Sequence, residues 1–380
     1  MTRKLFYEDS FINEFEATVL ECKSVGENYH IRLDATAFFP EGGGQSGDSG
    51  FIGETEIFDT HETSNEIWHY AKSELEIGKK YNCKIDFEKR FRRMQCHSGE
   101  HIVSGLLHSL YGANNVGFHL GDSDVTIDTD VELTKDQLMT VEKLANKAIA
   151  KDFEVKVFFP TAEEAKNTEY RSKLDITENL RLVEYEGYDI CACCAPHVKK
   201  TGQIGVIKIL DSAHYKGGMR IHLLSGMMAL EDYHNRYTAV QKISTMLSAK
   251  QSETPDAVER LKKENDANLL KISALKKEIA RITAENAAPT DKNLLFFSEL
   301  LDGAAARELV NSAIAKCAGI CAVFTGIDGA YNFCMASKSV DLKAKSKEIG
   351  EALNGKCGGS SEMINGKCAS SREEITAYFS

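Results

Sequence analysis

The chain has 380 residues, 42% of them hydrophobic and 27% charged, and a formal net charge of −11. That length exceeds one ordinary core and argues for two to four domains, and the composition is that of a soluble globular protein. No run approaches the ~18–20 apolar residues of a membrane span, the first residues carry neither a signal-peptide core nor an acid-poor transit sequence, and the acidic balance speaks against indiscriminate nucleic-acid binding; the expected compartment is the cytoplasm, with no membrane partner.

Residues 1–88 read as strands. Phe15–Cys22, Tyr29–Phe39, Ile52–Phe58, Glu66–Ala71 and Lys80–Phe87 alternate or run apolar between turn residues, which predicts a small β-barrel or sandwich. Phe39-Pro40-Glu41-Gly42-Gly43-Gly44-Gln45 is too rich in glycine for a strand interior, and predicts a loop whose backbone approaches something closely. Residues 89–230 mix helices and strands. Arg92–Leu110 has helical apolar spacing closed by Gly112, and Thr134 is placed to cap a second helix that runs to Lys151. Strand candidates lie around Val125–Ile127, Val155–Phe159, Leu180–Tyr185 and Val206–Leu210.

Residues 231–289 are helical by pattern. After Ser252-Glu253-Thr254-Pro255, a 3/4 spacing runs through Val258, Leu261, Asn265, Asn268, Ile272, Leu275, Ile279 and Ile282, the seam of a coiled coil. Ser225–Lys250 is expected to fold back on it as an antiparallel hairpin arm, and such an arm leaves a homodimer open. Residues 290–380 predict a small α/β domain with strands Gly319–Thr325 and Tyr331–Ala336 about a turn at Asp328-Gly329. Its segment Asn354–Ser361 reads either as a loop whose amides cradle phosphate or as a flexible turn. The whole is α+β: an N-terminal barrel, an α/β domain with a metal site, a helical arm and a small C-terminal α/β domain.

Eleven cysteines, an odd number scattered from Cys22 to Cys368, read as reduced thiols with a subset available for metal. His97-Ser98-Gly99-Glu100-His101 places two imidazoles four apart on one helix face, where both reach a single ion. Cys193-Cys194-Ala195-Pro196-His197 offers a thiolate and an imidazole at the same separation, in a turn broken by proline. One cysteine with three histidines suits Zn²⁺ and not Mg²⁺ or Ca²⁺. Each pair alone is as consistent with core packing, and Cys191 with Cys193 or Cys194 would also serve a structural zinc knuckle. The H-E-x-x-H protease signature is not met, because Glu100 precedes the second histidine. Basic residues cluster at Lys89, Arg90, Arg92 and Arg93, either a solvated face or an RNA contact.

These motifs resemble a known family. Phe39–Gly50 resembles the glycine-rich motif ahead of the editing domain of alanyl-tRNA synthetases and of their free-standing relatives. Arg93–Ile102 is similar to the H-x-x-x-H helix of that domain, and Cys193–Val198 with Thr201–Gly205 to its C-x-x-x-H signature and trailing T-G-x-I-G. Arg220–Gly226 resembles the stretch that closes it. The four stretches come in family order over residues 35–226, and the arm and tail resemble, more loosely, the DHHA1-type C-terminal region of alanyl-tRNA synthetase. The resemblance is to the alanyl-tRNA editing proteins, the AlaX family in its long form.

That resemblance implies Zn²⁺ held by His97, His101, Cys193 and His197, and selects Cys193 over Cys191 and Cys194. It implies a trans-acting hydrolase that deacylates mischarged tRNA(Ala), chiefly Ser-tRNA(Ala) and also Gly-tRNA(Ala). Gly42, Gly43 and Gly44 are expected either to wall the site where the CCA end enters, with Gln45 as a polar contact, or to form a tight barrel turn. His119, with Glu100 a candidate catalytic residue, falls near the family's polar substrate-reading residue. Glu100 stands where relatives often have a neutral residue, and either contacts substrate or sits at the helix surface. Arg92, Arg93 and Lys216 are candidates for phosphate contacts. The alternatives are editing of a different aminoacyl-tRNA and a non-catalytic RNA-binding module with a structural zinc.

Overall fold

The computed structural model describes residues 2–121, 125–172 and 180–380. The chain divides into two units, Met1–Ala239 and Val240–Ser380, a division that falls inside the arm expected over 231–289. The helix Gly226–Met246 runs across the division.

In the first unit a closed barrel takes its strands in the order Glu14–Val25, Asn28–Leu33, Glu66–Ala71, Thr55–Thr63, Gly50–Ile52 and Lys80–Ile85. Alternation sets the inside: Ala17 and Val19, Ile31 and Leu33, Cys83 and Ile85 are buried at every second position. Ser64 and Asn65, both at positive φ (55° and 62°), make the two-residue turn between the Thr55–Thr63 and Glu66–Ala71 strands. The single strand expected over Ile52–Phe58 is two strands broken at Gly53, whose φ of 59° turns the chain back on itself.

The helix Phe87–Tyr111 leaves the barrel with Asp86 as N-cap and ends at Gly112, where φ is 66°. Beside it lie a four-stranded antiparallel sheet, ordered Ile207–Tyr215, Gly218–Ser225, Val125–Thr129, Asn115–Leu120, and a three-stranded sheet of Lys156–Phe158, Leu182–Tyr185 and Asp189–Ala192. The helix Lys135–Ala150 starts from a capping box between Thr134 and Gln137. Met94, Ile102, Val103, Leu106 and Leu107 of the long helix enter one core with Ile127, Val141, Val183, Ile207 and Ile221. Gly105 lets the chain before Asp189 close on the helix, since a Cβ there would stand 2.2 Å from the Tyr188 carbonyl oxygen.

In the second unit the helix Thr254–Asn286 leaves Val258, Leu261, Ile272, Leu275, Ile279 and Ile282 exposed. Near its end Ala280 and Ala284 are buried with Leu309 and Val310 of the helix Gly303–Ala313. A five-stranded mixed sheet follows, ordered Leu294–Ser298, Ile320–Ile327, Ala330–Ser337, Met363–Cys368, Gly355–Gly359. The glycine segment read as a loop or turn is therefore a strand, paired antiparallel with Met363–Cys368. Its glycines permit the pairing, because a Cβ at Gly355 would meet the Lys367 carbonyl oxygen at 2.0 Å. Among the described residues no helix is long and apolar enough to cross a membrane.

Candidate metal centre

The first unit holds a cleft of about 1470 Å³ whose floor includes His97, His101 and Cys193 and whose rim includes Gly43 and Gly44. His97 and His101, one turn apart on the long helix, stack with ring centroids 5.5 Å apart. The His197 ring stands edge-on to both, at 4.9 and 4.8 Å. Cys193 Sγ lies 3.5 Å from His97 Nε2 and 3.3 Å from His197 Nε2. The donor atoms of all four residues fall within 4.8 Å of one another.

The far nitrogen of each imidazole is anchored. His97 Nδ1 meets Gln45 Oε1 at 3.1 Å, and His101 Nδ1 meets Asp189 Oδ2 at 2.9 Å. His197 Nδ1 meets Tyr185 Oη at 3.1 Å and Ser98 Oγ at 3.2 Å. Each ring is thereby held with Nε2 toward the sulfur, the outer-shell orientation typical of metal-binding histidine. His101 Nε2 is buried and has no hydrogen-bond partner among the described residues, a cost the fold bears unless an ion takes that lone pair. Tetrahedral Zn²⁺ bonds would set sulfur and nitrogen about 3.5 Å apart, so the residues present fit that ion.

Electrostatics agree. Burial opposes charge on Cys193, but the imidazoles of His97 and His197, with His101 beside them, hold its thiol well below the ordinary range. Burial pushes His197 down to about 3 and leaves it neutral with a lone pair to give. Burial also raises Cys194, to about 11, and its sulfur packs against the Gly42–Gly43 backbone instead of the cluster. Cys191 shares a second donor group with His101 and Asp189. The Asp189 oxygens are already engaged there, by Arg171 at 2.7 and 2.8 Å and by His101, so the quartet with Cys193 is the better cage.

Other expected site residues fare differently. Gly43 and Gly44 lie on the cleft, with φ of 62° and 81°. A Cβ on Gly43 would touch Cys194 Sγ at 3.4 Å, and one on Gly44 the Phe118 carbonyl oxygen at 2.6 Å. Gly42 sits behind them against Cys194. Gln45 is 1% exposed and holds His97, not an open contact for a ligand. Glu100 is 4% exposed and lines the cleft, so it is not at the helix surface. His119 is exposed and lies outside the cleft lining, although its neighbour Phe118 is on it.

The basic cluster is mostly internal. Arg90 is fully buried against Asp48, and Arg93, 5% exposed, donates to the Ser46 and Gly47 carbonyls at 3.2 and 2.7 Å. Arg92 is paired with Glu231 and Glu88, and Lys216 sits exposed at a hairpin tip between the Ile207–Tyr215 and Gly218–Ser225 strands; neither lines the cleft. Sequence reasoning missed Asp189, Arg171 and Arg181. Asp189 is 88 residues from His101 along the chain, and no local spacing marks it. Arg181 donates to the Cys193 and Ala195 carbonyls at 2.7 and 3.0 Å and so shapes the turn that carries the thiolate.

A histidine–cysteine cage beneath a glycine loop, in a unit of a closed barrel and antiparallel sheets, has the donor set of a metal-binding domain. Residues 180–222, which carry Arg181, Asp189, Cys193 and His197, match the family described as threonyl and alanyl tRNA synthetase second additional domain. Alanyl-tRNA editing protein Aarsd1-A of Xenopus laevis is 31% identical over 73% of this chain and 68% of its own length. Alanyl-tRNA editing protein AlaX-L of Pyrococcus horikoshii is 32% identical over 55% of this chain and 54% of its own. Alanine–tRNA ligase of Ignicoccus hospitalis is 27% identical over 94% of this chain, a span that is 40% of the ligase. The chain belongs to the alanyl-tRNA editing proteins, relatives of alanyl-tRNA synthetase.

Proposed function

We propose that this protein is a trans-acting aminoacyl-tRNA deacylase that cleaves the ester of mischarged tRNA(Ala), chiefly Ser-tRNA(Ala) and also Gly-tRNA(Ala), at a Zn²⁺ site made by His97, His101, Cys193 and His197. One observation carries the reading: three imidazoles, each anchored through Nδ1, turn Nε2 toward one thiolate at the floor of an open cleft, in a chain of the alanyl-tRNA editing family.

The need for such a site follows from pocket chemistry. An alanine pocket cannot exclude glycine by size, and a single added hydroxyl is rejected by only about 1–3 kcal/mol. A second site that hydrogen-bonds the serine hydroxyl inverts the selection, since alanine leaves its polar groups unpaired. When bound, the ion supplies positive charge that positions or polarises the ester carbonyl. Asp189 and Gln45 keep His101 and His97 turned to it, and Asp189 is itself fixed by Arg171. Gly43 and Gly44 leave the rim without side chains, so the CCA end approaches the floor closely. Four protein donors also describe a closed structural site, which favours one alternative: an RNA-binding module whose zinc serves the fold. The exposed apolar row on the Thr254–Asn286 helix is consistent with a homodimer.

The test incubates zinc-loaded protein with Ser-tRNA(Ala) and Ala-tRNA(Ala), with a His101→Ala variant alongside. Selective loss of the seryl ester, abolished in the variant while the fold persists, is the expected result. Intact esters, with zinc bound and tRNA retained, would favour the RNA-binding module.

A further inference from the structure

Glu100 is a carboxylate in an unusual place. It is 4% exposed, it stands between the His97 and His101 cage residues on the long helix, and it lines the cleft. Two donors converge on one of its oxygens: Ser104 Oγ and Asn115 Nδ2 each reach Oε1 at 2.5 Å. Asn115 Nδ2 also reaches Ser104 Oγ, at 3.0 Å, so the three side chains brace one another. Oε2 accepts no hydrogen bond from the described residues. The nearby cation Arg171 attracts Glu100 at longer range than a direct ion pair, and its Nε and Nη2 are engaged by Asp189 at 2.7 and 2.8 Å. The result is an acid with one oxygen fixed and the other offered to the cleft.

We infer that Glu100 is a specificity-determining residue that binds the α-ammonium group of an aminoacyl ester; this deepens the deacylase reading and rests on it. An ester carbonyl directed to the cage brings its α-carbon, one bond away, to the neighbouring side chains of the same helix. The α-amino group is largely a cation at neutral pH, with a pKa of roughly 7.7–8.0 for a free α-amine. A buried carboxylate is acceptor-only and needs a positive partner to offset its desolvation. A neutral serine hydroxyl does not meet that need; an ammonium does, through a charge-assisted hydrogen bond. Glu100 thus reads what every aminoacyl ester has, and tells it from other acyl esters, while recognition of the amino-acid side chain falls to other groups.

The test uses the full-length, zinc-loaded protein and two non-hydrolysable probes, measured by calorimetry: 3′-deoxy-3′-(serylamido)adenosine and the analogue with a hydroxyl in place of the α-amine. The wild-type protein is expected to bind the amine at least about tenfold more tightly, as for a charged hydrogen bond. Glu100→Gln is expected to erase that ratio and to leave the hydroxyl analogue within about twofold of wild type. Ser104→Ala keeps the charge but loosens it, and is expected to lower the ratio severalfold with zinc content unchanged; if Glu100→Gln does not fold, this variant decides. Equal weakening of both probes, absence of a wild-type preference, absence of binding, or loss of discrimination between seryl and alanyl amides in place of the amine effect would each overturn the inference. If the probes bind as expected and Ser-tRNA(Ala) is not hydrolysed, the deacylase reading fails and the ammonium site stands.

Discussion

Two buried polar centres sit on the same long helix and are built on opposite plans. At its first turn Arg90 is fully buried, and every nitrogen of its guanidinium is engaged: Nε reaches Asp48 at 2.8 Å, Nη1 the Ser10 carbonyl at 3.1 Å, and Nη2 the Ala37 carbonyl at 2.6 Å together with Asp48. Asp48 also accepts from the Phe39 amide at 2.6 Å. Two turns further on, the histidine cage satisfies its outer nitrogens and leaves its inner ones aimed at one point, with His101 Nε2 unpartnered among the described residues. A closed polar centre joins parts of the fold; a convergent one holds a ligand. Burial alone does not separate the two; the direction of the unused donor atoms does.

The largest effect that would break this comparison lies at the closed centre. Arg90→Ala leaves the Asp48 carboxylate buried without its cation, and is expected to destabilise the first unit by about 3–5 kcal/mol. Denaturant unfolding with and without zinc checks it. A loss that zinc restores in full would mean that the Arg90 centre belongs to the metal site and is not independent of it.

His69, inside the barrel, is a second closed centre and a pH-sensitive one. Its Nδ1 meets the Ile31 carbonyl at 3.0 Å and its Nε2 meets Thr36 Oγ1 at 2.8 Å, and burial pushes its pKa down to about 4. The folded state then resists a proton that the unfolded chain accepts below its ordinary pKa of 6.5. Stability is full above that value and declines as pH falls toward 4, by about 3 kcal/mol from this group. The slope of stability against pH should flatten over that window in His69→Gln; an unchanged slope refutes the assignment.

At the convergent centre the supporting shell matters most where it is charged. Asp189→Asn keeps the shape but removes the charge that orients His101 and neutralises Arg171, and zinc affinity is expected to fall about 10–100-fold. Competition with a chelator measures it. An unaltered affinity would mean that the His101 ring is held by packing, with Tyr185 stacked at 5.5 Å, and not by Asp189.

The sequence carried some of this geometry and not the rest, for physical reasons. The convergence of His97, His101, Cys193 and His197 was legible because a helix turn and a tight turn each fix a pair locally, and the family motifs join the two pairs. Most barrel strands were legible from alternation, and Gly112 from its role as helix terminator. Asp189, Arg171 and Arg181 were not, because their roles exist only across long sequence separations. Arginines 90 and 93 read as surface because charge usually is surface; here carbonyls and one aspartate solvate them in place of water. Gly355–Gly359 read as a loop because glycine is rare in strands, yet close approach of a neighbouring strand is a reason to have it there.

The smallest expected effect sharpens the comparison furthest. Gln45 does for His97 what Asp189 does for His101, but with a neutral oxygen at 3.1 Å, and its own Nε2 is buried without a partner among the described residues. Gln45→Ala therefore removes one neutral hydrogen bond, about 1 kcal/mol, and is expected to weaken zinc about fivefold. It also removes the orphaned amide nitrogen, so unfolding stability should fall by less than that bond alone implies. If the loss equals that of Asp189→Asn, charge is not what ranks the two supports; the glycine loop that carries Gln45 would then be orienting the cage directly, through its contact with His97 and Cys194.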